Sequence, residues 1–144
     1  MPEPGWFRHP VRVYWEDTDA SGVVFYANYL KFTERARTEW LRALGIEQSR
    51  LLADTGAAFV VRHVSVDYRA PARLDDELEV RSRLTGLRPA SVKLQQQVAC
   101  GDRLLVSSLV ELACIDARGR PTRLPSAVRS ALTVAGADSF PPHS

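Results

Sequence analysis

From residue 58 to residue 115 apolar and polar residues alternate with period two, broken only by short turns. No other feature constrains the fold as much. Strands joined by such short connections pair antiparallel, because a parallel pair needs a crossover of a dozen residues or more. Ala58–Arg69 reads as the first of these strands, with Val60, Val64, Val66 and Tyr68 on one face. Ala70-Pro71-Ala72 breaks it. Leu78, Val80 and Leu84 alternate with Glu79, Arg81 and Arg83 in the next strand. Gly86–Ala90 turns the chain, and Val92, Leu94 and Val98 then alternate with Lys93, Gln95 and Gln97. Gly101-Asp102 makes a tight hairpin turn. Leu104–Ile115 follows, apolar on both faces as in a central strand covered on both sides.

Ahead of this region the period changes. Residues 8–15 read as a strand, with Val11 and Val13 alternating against Arg12 and Tyr14. Asp17–Gly22 has the composition of a turn. A helix is expected from about Ala27 to Leu44, because Tyr29, Phe32, Ala36, Trp40, Ala43 and Leu44 recur at helical spacing. Gly45 is suited to end it. Ile46–Asp54 reads as a shorter helix, and Ser126–Leu132 as a closing helical turn. One long helix against one antiparallel five-stranded sheet is a two-layer α+β arrangement. Apolar residues on the sheet's other face hint at a partner subunit.

A chain of 144 residues is read as one domain, 1–144, with its core at about 8–132 and a disordered tail over 136–144. The net charge of +2 is too mild to suggest nucleic acid. No apolar run approaches the roughly 18 residues of a membrane span. The N-terminal residues lack the basic and apolar regions of a signal peptide, so a cytoplasmic location is expected. Cys100 and Cys114 lie in apolar strand patterns and read as reduced thiols.

The chemistry concentrates in Trp15-Glu16-Asp17-Thr18-Asp19-Ala20-Ser21-Gly22-Val23-Val24-Phe25-Tyr26-Ala27-Asn28-Tyr29. Carboxylates, a glycine and a helix N-terminus fall within a dozen residues. A nucleophile or base thus stands beside backbone N–H groups that have no partner in the helix, an arrangement suited to attack on a carbonyl.

This stretch, with Glu34-Arg35-Ala36-Arg37-Thr38-Glu39 and Val66-Asp67-Tyr68-Arg69-Ala70-Pro71-Ala72 followed by Asp76, resembles the hotdog-fold acyl-CoA thioesterases. The resemblance is to the branch holding the 4-hydroxybenzoyl-CoA and Tol–Pal-associated enzymes, and it covers residues 8–132. It implies a sheet wrapped around the long helix, and hydrolysis of an acyl-CoA to a free acid and CoA. It implies a homodimer or homotetramer with the active site between two subunits. No metal or other cofactor is implied, since CoA is part of the substrate. Asp19 matches the catalytic carboxylate, as nucleophile or as base to water. The backbone amide of Tyr26 matches the donor that polarises the thioester oxygen. The Tol–Pal-associated enzymes commonly carry His where this chain has Tyr26. Gly22, Val24, Phe25 and Asn28 are expected to shape the substrate pocket, and Arg88, Ser91 and Lys93 to contact CoA.

Other readings of the same residues exist. Asp17, Thr18 and Asp19 suit a turn and helix cap with no chemistry. Asp54-Thr55-Gly56 resembles an aspartic-protease loop, but also a helix end with its glycine stop. His9, His63 and His143 are scattered and form no metal-ligand pattern. The second functional reading is a hotdog protein that binds acyl groups or a partner without catalysis.

Overall fold

Residues 5–139 are described by the computed structural model. In chain order they form β1 (Phe7–Arg12), a single 3-10 turn (Trp15–Asp17), α1 (Asn28–Ala43), α2 (Gln48–Thr55), β2 (Ala58–Tyr68), β3 (Glu77–Leu87), β4 (Ser91–Cys100), β5 (Arg103–Ile115) and α3 (Ser126–Ser139). The strands make one sheet in the order β1-β3-β4-β5-β2, every pairing antiparallel. This is the five-stranded α+β layout that the hotdog resemblance implies.

α1 lies across one face of the sheet. Tyr29, Phe32, Thr33, Ala36, Trp40 and Leu41 are its buried residues, and Phe32 and Leu41 are sealed from solvent. Burying either of these two contributes about 2–3 kcal/mol. Gly45 stops the helix as expected. It adopts a φ of 85°, its N–H donates to the Arg42 carbonyl, and the next N–H, of Ile46, reaches back to Leu41. Both bonds satisfy carbonyls that the helix end would otherwise leave open.

The core has two lobes. One gathers Val13, Val24, Tyr29, Phe32, Ala72, Leu78, Val98 and Leu105 around the N-terminal half of α1. The other gathers Trp40, Leu41, Leu84, Val92, Val110, Leu112, Val128 and Leu132 around its C-terminal half. Between them sits a polar hub. The side-chain amide of Gln96 is wholly buried. Its Nε2 donates to the Thr33 carbonyl and to Ser82 Oγ, each at 2.9 Å, and its Oε1 accepts from Arg37 at 3.0 Å. Ser108 adds a longer bond to the Gln96 carbonyl. One side chain therefore ties β3 and β4 to the middle of α1.

Several details depart from the sequence reading. The first strand ends at Arg12 rather than residue 15, because the Asp17 carboxylate accepts the Tyr14 N–H and draws the chain into the 3-10 turn. Val60 does not share a face with Val64. The pairing of β2 with β5 skips between Val61 and His63, so Arg62 is an extra residue and the alternation inverts. Phe59 and Val61 face α1 before it; Val66 and Tyr68 face it afterwards. β5 is covered on one face only, since Leu109 is exposed. Asp54 sits exposed near the end of α2, which Gly56 closes in the left-handed conformation, so Asp54-Thr55-Gly56 is a helix stop. The closing helical turn is a full helix: α3 runs through residues 136–139, burying Val128, Leu132 and Ala135. The remainder of the expected tail, 140–144, lies outside the described residues. Both cysteines are free. No helix among the described residues is long and apolar enough to cross a membrane.

Replacing Gln96 by Leu leaves the Ser82 hydroxyl and the Arg37 guanidinium without their partner inside the protein. The expected cost is about 3 kcal/mol, read as a lower urea midpoint at unchanged slope. Ser82→Ala, which removes one bond and keeps the hub, costs about 1 kcal/mol.

Candidate active site

The loop between the 3-10 turn and α1 is folded back on itself by its own backbone. Asp19 N–H donates to the Val23 carbonyl at 2.9 Å, and Gly22 N–H to the Asp19 carbonyl at 3.1 Å. Gly22 has a φ of 80° in this turn, a conformation that side-chain-bearing residues rarely adopt. Thr18 and Val24 pair across the base of the loop.

The segment after β2 props this loop from beneath. Val24 N–H donates to the Ala72 carbonyl, and Leu74 N–H to the Gly22 carbonyl. Ala72 N–H donates to the Tyr29 hydroxyl at 2.9 Å. Burial around that phenol pushes its titration upward, so it stays a neutral acceptor. The Asp76 carboxylate accepts the Arg73 N–H, and its carbonyl accepts the Val13 N–H. The stretches 15–29 and 66–76, distant in sequence, thus form one unit.

Asp17 and Asp19 have different surroundings. The Asp17 carboxylate is taken up by Tyr14 N–H, and its carbonyl accepts both Phe25 N–H and Asn28 Nδ2–H. The Asp19 carboxylate is exposed. Its Oδ1 accepts the Ser21 N–H and the Ser21 hydroxyl. The hydroxyl bond first, and the backbone bond next, hold the Asp19 carboxyl below the usual range, so it is ionised at neutral pH.

α1 begins with a tightened turn. Asn28, Tyr29 and Leu30 donate to the carbonyls of Phe25, Tyr26 and Ala27. The N–H groups of Tyr26 and Ala27 donate to no protein acceptor among the described residues. A carboxylate and unpaired helix-end amides therefore belong to one hydrogen-bonded loop. Exposed aromatic rings line it: Phe25 against Tyr26 at 4.9 Å, and Tyr68 of β2 edge-on to Tyr26 at 6.0 Å.

The expected site residues divide into two groups. Asp19, Gly22, Val24, Phe25, Tyr26 and Asn28 come together at this loop. Val24, however, is buried and supports the loop from below. Asn28 gives one of its two side-chain N–H donors to the Asp17 carbonyl. Arg88, Ser91 and Lys93 stand at the opposite end of the sheet. Arg69 N–H bonds the Leu105 carbonyl near the loop, whereas Ser91 pairs with Ala113, eight residues further along β5. That is roughly 26 Å away within one chain. Ser91 is buried, Lys93 pairs with Glu111 at 3.7 Å, and Arg88 is exposed. Two residues given no site role by sequence reasoning, though both lie in the stretches it quoted, are Ser21 and Tyr68. The Asp-x-Ser spacing signals Ser21, since a short polar side chain bonds the residue two positions on. Tyr68 arrives from a strand far along the chain, and nothing in its own stretch says that its ring meets Tyr26.

Hydrogen bonds to a carboxylate favour its charged form, so removing one raises its pKa. Ser21→Ala is expected to move the Asp19 titration upward, read by NMR of the carboxyl carbon. A titration that stays in place would show that the hydroxyl does not set it.

Residues 13–132 match the model of the thioesterase-like superfamily. The chain is 42% identical over 126 residues to the acyl-CoA thioesterase YbgC of Haemophilus influenzae, covering 87% of this chain and 93% of that one. It is 45% identical over 124 residues to the acyl-CoA thioester hydrolase YbgC of Escherichia coli, covering 85% and 92%. The crystal structure of a probable thioesterase from Bartonella henselae superimposes with a TM-score of 0.80 at 38% identity, covering 83% and 99%. With the family match spanning most of its length and the fold in agreement, this chain belongs to the thioesterase-like superfamily and has its hotdog fold.

Proposed function

We propose that this protein is an acyl-CoA thioesterase, releasing a free carboxylic acid and CoA. The observation that carries the reading is the exposed, ionised Asp19 carboxylate on the same loop as the unpaired amides of Tyr26 and Ala27. The names of the Haemophilus and Escherichia relatives support the reaction class.

The chemistry follows from charge. Attack on a thioester places negative charge on the carbonyl oxygen. A preorganised N–H aimed at that oxygen lowers the barrier by about 3 kcal/mol, and the positive end of α1 adds to it. Asp19 attacks the carbonyl carbon, giving an anhydride that water opens, or takes a proton from the water that attacks. In both routes the C–S bond breaks and CoA leaves as its thiolate. Such a leaving group needs little help from an acid.

The reading includes a second copy of the chain. On one chain the site is open to solvent, with Asp19, Phe25, Tyr26 and Tyr68 all exposed. Among the described residues β2 pairs with β5 alone, and Val60, Val61 and Val64 are exposed beside its other edge. An unpaired apolar edge of this length is a template for another strand. Two copies of β2 joined antiparallel about a two-fold axis set the Ala58 end of one beside the Tyr68 end of the other. The 88–93 turn of one copy then lies at the same end as Asp19 of the other. This accounts for the separation within one chain of residues expected to serve one substrate, and Arg88 and Lys93 suit the phosphates of CoA.

Asp19→Asn keeps the shape and removes the charge. It is expected to lower kcat/KM about a hundredfold or more toward the best-hydrolysed member of an acyl-CoA panel, measured by thiol release. Activity within a few-fold of wild type would remove Asp19 from the chemistry. Val64→Lys puts a charge on the exposed edge. It is expected to yield a folded monomer by analytical ultracentrifugation, with turnover at least about tenfold lower, because the site is then incomplete.

A further inference from the structure

We propose that Asn28 is a positioning residue for the reaction: its side chain locks the loop carrying Asp19 against the start of α1. The inference rests on the thioesterase reading above and deepens it. Asn28 is the first residue of α1, half-buried, with Nδ2 donating to the Asp17 carbonyl oxygen at 2.8 Å. The same oxygen accepts the Phe25 N–H at 3.1 Å. Asp17 lies two residues before the carboxylate, and Phe25 directly precedes the Tyr26 amide. A single carbonyl thus joins the two segments that bear the reacting groups. Asn28 supplies one of its two bonds and, through its own N–H to the Phe25 carbonyl at 2.8 Å, closes the helix turn behind it.

The bridge works because of what the other ties in the loop leave free. The bonds of Asp19 to Val23 and of Gly22 to Asp19 are internal to the loop and set its shape, not its placement on the helix. The Ala72 and Leu74 bonds hold its far side, around Gly22 and Val24. On the near side, the Asp17 carbonyl is where the loop meets the helix start. A shift of about 1 Å between nucleophile and oxyanion donor is enough to cost about a hundredfold in rate. A substrate contact would have another signature. Binding a ligand group equally in ground and transition states changes KM and leaves kcat alone.

The test compares wild type, Asn28→Ala, Asn28→Asp and Asp19→Asn, combining steady-state kinetics on the best-hydrolysed acyl-CoA with amide hydrogen exchange of the free protein. Asp has the shape of Asn but cannot donate to a carbonyl, so both Asn28 variants are expected to behave alike. kcat falls about ten- to a hundredfold and KM stays within about threefold. The Phe25 amide, which shares the Asp17 carbonyl with Asn28, exchanges faster, while Asp19 and Gly22, bonded within the loop, and α1 beyond Phe32 keep their protection. A raised KM at unchanged kcat makes Asn28 a substrate contact and overturns the proposal. So does faster exchange with unchanged kcat, or unchanged exchange of the Phe25 amide. The exchange measurement needs no turnover. It therefore decides the bridge even if Asp19→Asn stays fully active and the catalytic reading of Asp19 fails.

Discussion

How far α1 lies along the sheet decides where its N-terminus, and hence the site, is presented. Apolar packing alone sets that position poorly. It is non-directional, and sliding the helix by one turn of about 5.4 Å would still lay an apolar stripe on the sheet. The Gln96 amide removes the freedom. Its donor reaches the Thr33 carbonyl and the Ser82 hydroxyl, and its oxygen meets Arg37, in one register only. Leaving such groups unpaired inside the protein costs more than their bonds contribute when made, so alternative registers are penalised.

Given that register, the site is assembled by backbone bonding more than by side-chain packing. Two stretches meet at the start of α1. The loop 17–27 is stitched to residues 70–76 through Val24, Gly22 and Ala72, with the Tyr29 hydroxyl accepting the last. Tyr29 is therefore both a core residue of the helix and a prop of the loop. The lobe of the core around the N-terminal half of α1, where Phe32, Val98 and Leu105 lie with it, transmits the placement of the sheet to the loop.

The parts legible in the sequence are those set by local rules. The helix and its glycine stop follow from period and from the cost of a left-handed residue, and the antiparallel strands follow from short turns between period-two runs. The loop's chemistry was legible because its residue types are unusual together. What was not legible depends on count and distance. A single extra residue at Arg62 inverts the faces of β2, and no residue type announces it. Residues 13–15 alternate as a strand would, yet the Asp17 side chain offers Tyr14 a closer partner than the sheet does. Arg88, Ser91 and Lys93 are expected to contact CoA, but that they stand about 26 Å from the Asp19 loop within one chain follows from strand length, which no residue type announces. Side-chain roles inside the loop were the hardest to read. Val24 and Asn28 look like pocket residues in sequence, whereas one is core and the other bonds the backbone.

The arrangement at Asp19 trades basicity for aim. Two bonds from Ser21 stabilise the carboxylate and make it a weaker base and nucleophile than a free one. A carbonyl with a poor leaving group would punish that. A thioester does not, because its thiol has a pKa near that of cysteine, about 8.5, and departs as the anion at modest cost. In the proposed reaction most of the barrier then lies in building the oxyanion, which the amides of Tyr26 and Ala27 would stabilise. A weakly basic carboxylate held in one orientation is thus matched to this substrate class. In the proposed reaction its value lies in standing in the correct place, which the bonds at Asp17, Ser21 and Asn28 favour more than the acidity of Asp19 does.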